Sequence, residues 1–347
     1  MSAAAPPPAA ARLAAPPAQD ALGPHLALGV ALLLVPTVAS NFIMVQIGAW
    51  SLILGMLALS LMVLAGYGGM VSLAQITVAG IAGYTVAILG ENSIDVHGYG
   101  WPWWLTVPLA ITLAALGSAL IGWISVRTEG IYTIMITLAI ATAASLFAQQ
   151  NYTIFNGFEG FAGIPAPTVF GVRMRSPMAF YYLCLGVAVL FYVAVLYGQR
   201  STFGLTLQAT RDNQRRMRAL GFDTTAHKVF AWFLAGLIAG AAGVLLVWFQ
   251  GRISPGTIGV AAAINVLVIA VIGGLRHPIG PFIGAVVVVV IQTFATDLVG
   301  AARFNTLIGL TFLAIVFFSP DGLLGLWERL RPRPGDSSIP SRPGPGA

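Results

Sequence analysis

The sequence predicts an all-α integral membrane protein of about ten transmembrane helices, some of them short or broken. Three observations carry that expectation. Charged residues make up only 8% of the 347-residue chain, against about 25% in soluble domains. Hydrophobic residues make up 58%, and the mean hydropathy is +0.87, more apolar surface than a soluble globule of this size can hide. The apolar residues also gather in uncharged runs close to the ~20 residues that cross a bilayer. A soluble enzyme, a nucleic-acid-binding protein and a disordered chain are thereby excluded, and the pI of about 9.8 does not point to DNA.

Taken in order, residues 1–24 are Ala/Pro-rich with one basic residue, Arg12. Prolines at 6–8 and 16–17 interrupt the apolar stretch that a cleavable signal needs, so a disordered tail is expected. Spans are expected at 25–40, 42–66, 71–90, 103–125, 131–150, 178–198, 228–249, 259–275, 279–298 and 304–319. Gly, Pro and charge bound them, as in NSIDVHGYGWP before Trp103 and RTEG at 127–130. Trp101, Trp103 and Trp104 cluster at one span end, where indole rings favour the headgroup layer. The run 259–275 is short and ends in Gly273-Gly274, so a count of eight or nine crossings would make it re-entrant. From residue 320 the Pro- and Arg-rich end reads as a second tail. The transmembrane domain is therefore 25–319, with one long inner loop at 199–227.

Ten crossings place both termini on one side. With that side inside, inner segments hold 13 Lys and Arg, and outer loops hold only Arg173, Arg175, Arg252 and Arg303. The positive-inside rule selects that orientation, with cytoplasmic termini. No charged residue lies deep in a span; Glu91 and Asp297 are at ends. Proton- or sodium-coupled transporters keep a buried carboxylate for coupling, so a stand-alone secondary transporter is disfavoured. Energy for uphill transport is then expected from another subunit. The chain itself has no GxxxxGK[ST], and Lys228 is its only lysine. An intramembrane lipid enzyme is disfavoured as well. Cys184 is single, and His25, His97, His227 and His277 are scattered without ligand spacing, so no catalytic or metal-binding set is expected.

Eight charges fall within 199–228, under a tenth of the chain. Residues 205–220 read as one helix, with Gly221 in the left-handed position past its end. Arg211, Arg215 and Arg218 recur at i, i+4 and i+7 and form a basic stripe, with Ala209, Asn213, Met217 and Leu220 opposite. The spacing leaves two readings open. The helix lies on the membrane and holds anionic headgroups, or it docks a cytoplasmic partner through Ala219 and Gly221 beside Met217, Leu220 and Phe222.

Four stretches carry a family resemblance. RDNQRRMRALGFDTTAHKVFAWFLAGLIAGAAGVLL (211–246) resembles the inner-loop signature of permeases in branched-chain amino-acid ABC importers. GYGGMVSLAQITVAGIAGYTVAIL (66–89), TEGIYTIMITLAIA (128–141) and VIGGLRHPIGPFIGA (271–285) match in the same order. Over roughly residues 30–320 the chain resembles the M-type subunit of these Liv-type importers. The resemblance implies the ABC importer permease fold in a bacterial inner membrane. It implies a sister permease in a heterodimer, two cytoplasmic ATPase subunits that use ATP and Mg, and a periplasmic solute-binding protein. This chain is then not an enzyme and binds no cofactor of its own. The cargo implied is a branched-chain amino acid; urea, short amides or another small solute of the same class stays open. The loop becomes the coupling helix, seated in an ATPase cleft. Its residues are Arg211, Asp212, Asn213, Ala219, Leu220 and Gly221, with Arg215 and Arg218 of the stripe. Two departures stand out. After RDN the family continues with an acidic residue and an alanine-rich run, whereas here Gln214, Arg215, Arg216, Met217 and Arg218 follow. An acidic surface is expected on the ATPase partner. The outer loop NGFEGFAGIP (156–165) replaces a Gly-Gly-Ser-like turn.

A permease path needs groups that replace water without holding solute tightly, beside helices that shift. Uncharged polar residues within spans are Ser72, Gln75, Thr77, Thr137, Thr142 and Asn265. Glycines gather at Gly66, Gly68, Gly69, Gly80 and Gly83, and at Gly273, Gly274, Gly280 and Gly284. The path candidates are Ser72, Gln75, Thr77, Thr137, Asn265, Gly273 and Gly274. Interhelical hydrogen bonds and small-residue packing account for the same residues, and both readings stay open. Spans 178–198 and 228–249, attached to the loop, are expected to transmit ATPase closure.

Overall fold

A computed structural model describes residues 40–93, 98–128, 130–169 and 171–299, together with Leu33, Pro36, Gly309, Leu313, Gly322, Leu323 and Gly325. The chain divides into two units, Met1–Ser40 and Asn41–Ala347, and the second carries the architecture. The expected tails 1–24 and 320–347 and the spans 25–40 and 304–319 lie outside the described residues, those isolated positions apart.

Among the described residues ten helices follow one another: α1 (Ile43–Tyr67), α2 (Gln75–Leu89), α3 (Trp103–Ser125), α4 (Ile131–Gln150), α5 (Pro177–Arg200), α6 (Thr202–Asp212), α7 (Gln214–Ala219), α8 (Thr224–Gln250), α9 (Val260–Gly273) and α10 (Gly280–Val299). A one-turn helix, Tyr152–Phe155, stands apart. Of these, α1, α3, α4, α5 and α8 are long and apolar enough to cross a membrane. Among the described residues sheet is confined to two short pairs. Strand β1 (Phe161–Ala162) runs antiparallel to β4 (Arg252–Ile253), and β2 (Thr168–Val169) to β3 (Val172–Arg173). The chain is an all-α multi-pass membrane protein.

Burial separates centre from periphery. In their apolar stretches α1 is 83% and α8 72% buried, while α3, α4 and α5 are 33, 28 and 33% buried. A helix that is apolar all round belongs in the middle. Small residues let the central helices touch. Gly243 of α8 meets the backbone of Ala79 on α2, and Gly236 and Gly240 meet Ala115, Ser118 and Ala114 of α3. Ser118 Oγ donates to the Trp232 carbonyl at 2.7 Å, which removes a buried polar cost at the same contact.

The connections sort to two ends. Near one end Gly66 meets Leu275, Gly122 meets Trp232, and residues 200–224 pack on the end of α1. At the other, Ser93 N donates to Ala162 O at 3.0 Å and β1 pairs with β4. Trp101, Trp103 and Trp104 are all exposed at that second end.

Two spans are shorter than the apolar runs suggest. Residues 68–74 leave α1 unwound and turn back into the bundle before α2 begins. Residues 251–259 interrupt the α-helix after α8 with β4 and a 3-10 turn (Pro255–Ile258), and Ile258 and Ile253 lie against Gly80 and Gly83 in the body of α2. At 1.5 Å per residue α2 and α9 extend about 20 Å, short of a ~30 Å hydrocarbon layer. Irregular backbone at such depth must find partners inside the protein. Met70 N donates to Leu64 O at 2.9 Å, Leu73 N to Thr137 Oγ1 at 3.2 Å, and Ala74 N to Ser72 Oγ at 3.1 Å.

Candidate functional site

The loop between α5 and α8 is a helical elbow. Ser201 Oγ accepts from Gly204 N at 3.2 Å and starts α6. The single helix expected over 205–220 is in fact two. Asn213 adopts an extended conformation (φ −155°, ψ 91°), and its Oδ1 accepts from Arg216 N at 2.9 Å. It therefore ends α6 and caps α7, which is what a short carbonyl side chain does best. Gly221 is left-handed as expected, at φ +88°. Asp223 Oδ1 then accepts from Thr225 N and Ala226 N, each at 3.0 Å, and opens α8.

The break at Asn213 also divides the expected basic stripe. Arg211 turns toward the bundle. Its Nη1 donates to Gly66 O at the end of α1, and its Nη2 and Nε reach Asp212 Oδ1 at 2.9 and 3.0 Å. Its stem lies on Gly69 (φ +66°), where a Cβ would strike it. Next to this tether, Tyr67 Oη donates to Gln199 Oε1. On α7, Arg218 Nε donates to Thr224 Oγ1 at 3.0 Å. Lys228 Nζ donates to Gln214 Oε1 at 2.6 Å. Of the residues expected opposite the stripe, Met217 is buried and anchors α7, whereas Leu220 is 66% exposed. Arg215, Arg216, Ala219, Leu220, Gly221 and Phe222 are left as a basic surface with an apolar knob.

The path candidates fall into separate places. Ser72, Gln75 and Thr137 gather at the unwound 68–74 segment. Gln75 is 1% exposed; its Oε1 accepts from Ser60 Oγ at 3.2 Å, while its Nε2 has no hydrogen-bond partner among the described residues. Thr77 Oγ1 is likewise buried without one. It lines an apolar cavity of about 350 Å³ between α2 and α4 with Ile81 and Phe147. Asn265 lies at the other end, in a cleft of about 400 Å³ shared with Gln250, Arg252, Ser254 and Thr257. Leu54 and Ile76 also line that cleft, and Ile76 directly follows Gln75. Gly273 abuts the Gly280 carbonyl, and Gly284 meets Ile269, so Gly273 and Gly274 (φ +103°) sit at the α9–α10 contact. Thr142 Oγ1 donates to Leu138 O at 2.9 Å on its own helix. Among the described residues no three His, Cys, Asp or Glu side chains converge to hold a metal ion.

Sequence reasoning missed the inward bond of Arg211 to Gly66, the Gln214–Lys228 tie and the polar cleft mouth. Arg211 and Gly66 are separated by 145 positions, and no local pattern links them. Asn213 is a preferred N-cap residue type, the one local signal that could have revealed the break, and the arginines after it, unfavourable in a first turn, mask it.

Comparison with known proteins adds to this geometry. The family described as the permease component of the branched-chain amino acid transport system matches residues 43–317. The high-affinity branched-chain amino acid transport system permease protein LivM of Salmonella typhimurium is 29% identical over 326 residues, covering 84% of this chain and 73% of that protein. LivM of Escherichia coli is 28% identical over the same shares. The autoinducer 2 import system permease protein LsrC of Yersinia enterocolitica is 27% identical over 277 residues, 73% of this chain and 74% of that protein. No solved structure matches the chain significantly.

Proposed function

The chain belongs to the permease-component family of branched-chain amino acid transport systems, and from that membership we propose that it is a membrane subunit through which an ATP-driven importer passes branched-chain amino acids into the bacterial cytoplasm. Transport is the work of this family, and chemical catalysis is left to other subunits. In this reading a sister permease completes the pathway as a heterodimer. Two ATPase subunits, which use ATP and Mg, sit under the elbow, and a periplasmic binding protein delivers the solute. The chain crosses the inner membrane ten times, counting 25–40 and 304–319, with both Pro-rich tails in the cytoplasm. The excess of arginine in the loop end of the bundle supports that orientation.

The observation that carries the reading is the elbow. It presents Arg215, Arg216, Leu220 and Phe222 outward and is bound inward, through Arg211, to the carbonyl end of α1. A push on α6 and α7 therefore acts on more than α5 and α8, the spans continuous with it. It acts on the last turn of α1, next to the unwound 68–74 segment and beside Ser72, Gln75 and Thr137. Closure of the ATPase pair shifts this segment between two packings, and alternating access follows from that shift. The exposed arginines fit an acidic ATPase cleft, and the apolar knob fits its floor.

The test is uptake of labelled leucine, isoleucine and valine into vesicles holding the assembled importer. Uptake that needs both ATP and the binding protein supports the reading. The similarity to LsrC favours one second reading, a non-amino-acid small solute in the same transporter class. ATP-driven uptake of such a solute, of urea or of a short amide, with none of leucine, would replace the cargo and keep the mechanism.

A further inference from the structure

The cleft at the end of the bundle opposite the elbow has a chemical gradient along its depth. Of its lining residues Gln250 and Arg252 are exposed, while Leu54, Ile76 and Val266 are buried. Ser254, Thr257 and Asn265 are half-buried between these extremes. At about 400 Å³ it falls within the range that holds small ligands. The side chains of Gln250, Arg252 and Asn265 make no hydrogen bond or ion pair among the described residues. The Ser254 and Thr257 hydroxyls, 3.3 Å apart, are left with capacity beyond each other. The guanidinium of Arg175 lies near Gly251, the neighbour of Arg252. None of the described lining residues is acidic.

We propose that this cleft is a solute subsite which holds an amino acid as its zwitterion, carboxylate on Arg252 and branched side chain on Leu54 and Ile76. The inference rests on the cargo reading above and says where that cargo first meets this chain. A guanidinium pairs with a carboxylate through two parallel hydrogen bonds, and the neighbouring hydroxyls add donors. For the ammonium the lining side chains offer only neutral acceptors, the amide oxygens of Gln250 and Asn265 and the two hydroxyls, and no carboxylate, so a cation lacking a carboxylate gains little here. The deep wall offers no hydrogen bond, which favours an aliphatic side chain over a hydroxylated one. Arg252 is exposed, so the pair forms in contact with water and releases readily, as a path requires. The residue before Ile76 is Gln75, whose buried Nε2 has no hydrogen-bond partner among the described residues. The subsite therefore ends one residue from the polar break that the elbow is tied to.

The test uses the assembled importer in right-side-out vesicles without the binding protein, with Ala262→Cys in the cleft as reporter. A membrane-impermeant methanethiosulfonate labels the introduced thiol; the native Cys184 is buried. Leucine at about four times its Kd is expected to slow labelling roughly fivefold. Leucinamide is expected not to, and Arg252→Gln is expected to abolish the protection. Phe158→Cys, exposed outside the cleft, is expected to label at the same rate with or without leucine. Equal protection by leucine and leucinamide overturns the carboxylate assignment. No protection, in an importer that still takes up leucine when the binding protein is supplied, overturns the subsite and leaves the cargo reading standing. An importer that neither takes up leucine nor is protected by it overturns both.

Discussion

Arg211 meets α1 where the helix has run out of its own amide donors. The last carbonyls of any helix need partners, and here one of them, Gly66 O, is given to a side chain from a distant loop. Gly69 leaves room for the arginine stem to lie flat. Single substitutions on the elbow should separate insertion from transport. Gly221→Leu forces a side chain onto a left-handed backbone, a strain of about 1–2 kcal/mol. The expected outcome is normal membrane insertion with uptake reduced about tenfold, read as uptake per inserted chain; wild-type uptake would count against the elbow. Asn213→Ala removes the cap of α7 at a cost of about 1 kcal/mol, while Asn213→Asp keeps it. Amide hydrogen exchange across 202–219 should quicken in the first variant and stay near wild type in the second. Equal exchange in both would mean that the cap does not hold the break.

Among the elements, the long spans were legible because lipid demands uncharged runs and the flanking loops collect charge and proline. The boundaries of α3 and α4 match the expected runs 103–125 and 131–150. The unwound segments were not legible, because 68–74 and 251–259 are poor in charge and hydropathy registers solvent preference, not backbone hydrogen bonding. The elbow misled in a different way. Its i, i+4, i+7 arginines continue through Asn213 as though no cap were there, and the stripe they form on paper is split in space. Which polar residues met was also hidden: Thr137 reaches Leu73 across 64 positions. Packing makes its own prediction. Gly243 lets α8 touch the backbone of Ala79 on α2, so Gly243→Leu must push two buried helices apart. Overpacking of this kind costs about 1–3 kcal/mol. A lower thermal midpoint in detergent is expected, and an unchanged midpoint would show that the contact is loose.

For the whole molecule, the described helices form a bundle in which two long buried helices are each followed by an unwound stretch and a short helix, at opposite ends. That arrangement places a backbone without α-helix near each end, one beside the elbow and one beside the cleft. The proposed orientation in the membrane rests on arginine, since 13 of the 17 cationic residues fall in segments assigned inside. Thiol labelling in intact cells tests this. Phe158→Cys should react with an impermeant reagent from outside, and Leu220→Cys only after permeabilisation; the reverse pattern would invert the assignment. The central claim is that the elbow drives the 68–74 break through Arg211. The most direct measurement is the ratio of leucine transported to ATP hydrolysed in the reconstituted importer carrying Arg211→Gln. The account predicts hydrolysis close to wild type with the ratio reduced about tenfold, since the ATPase still turns but no longer moves α1. An unchanged ratio would contradict it.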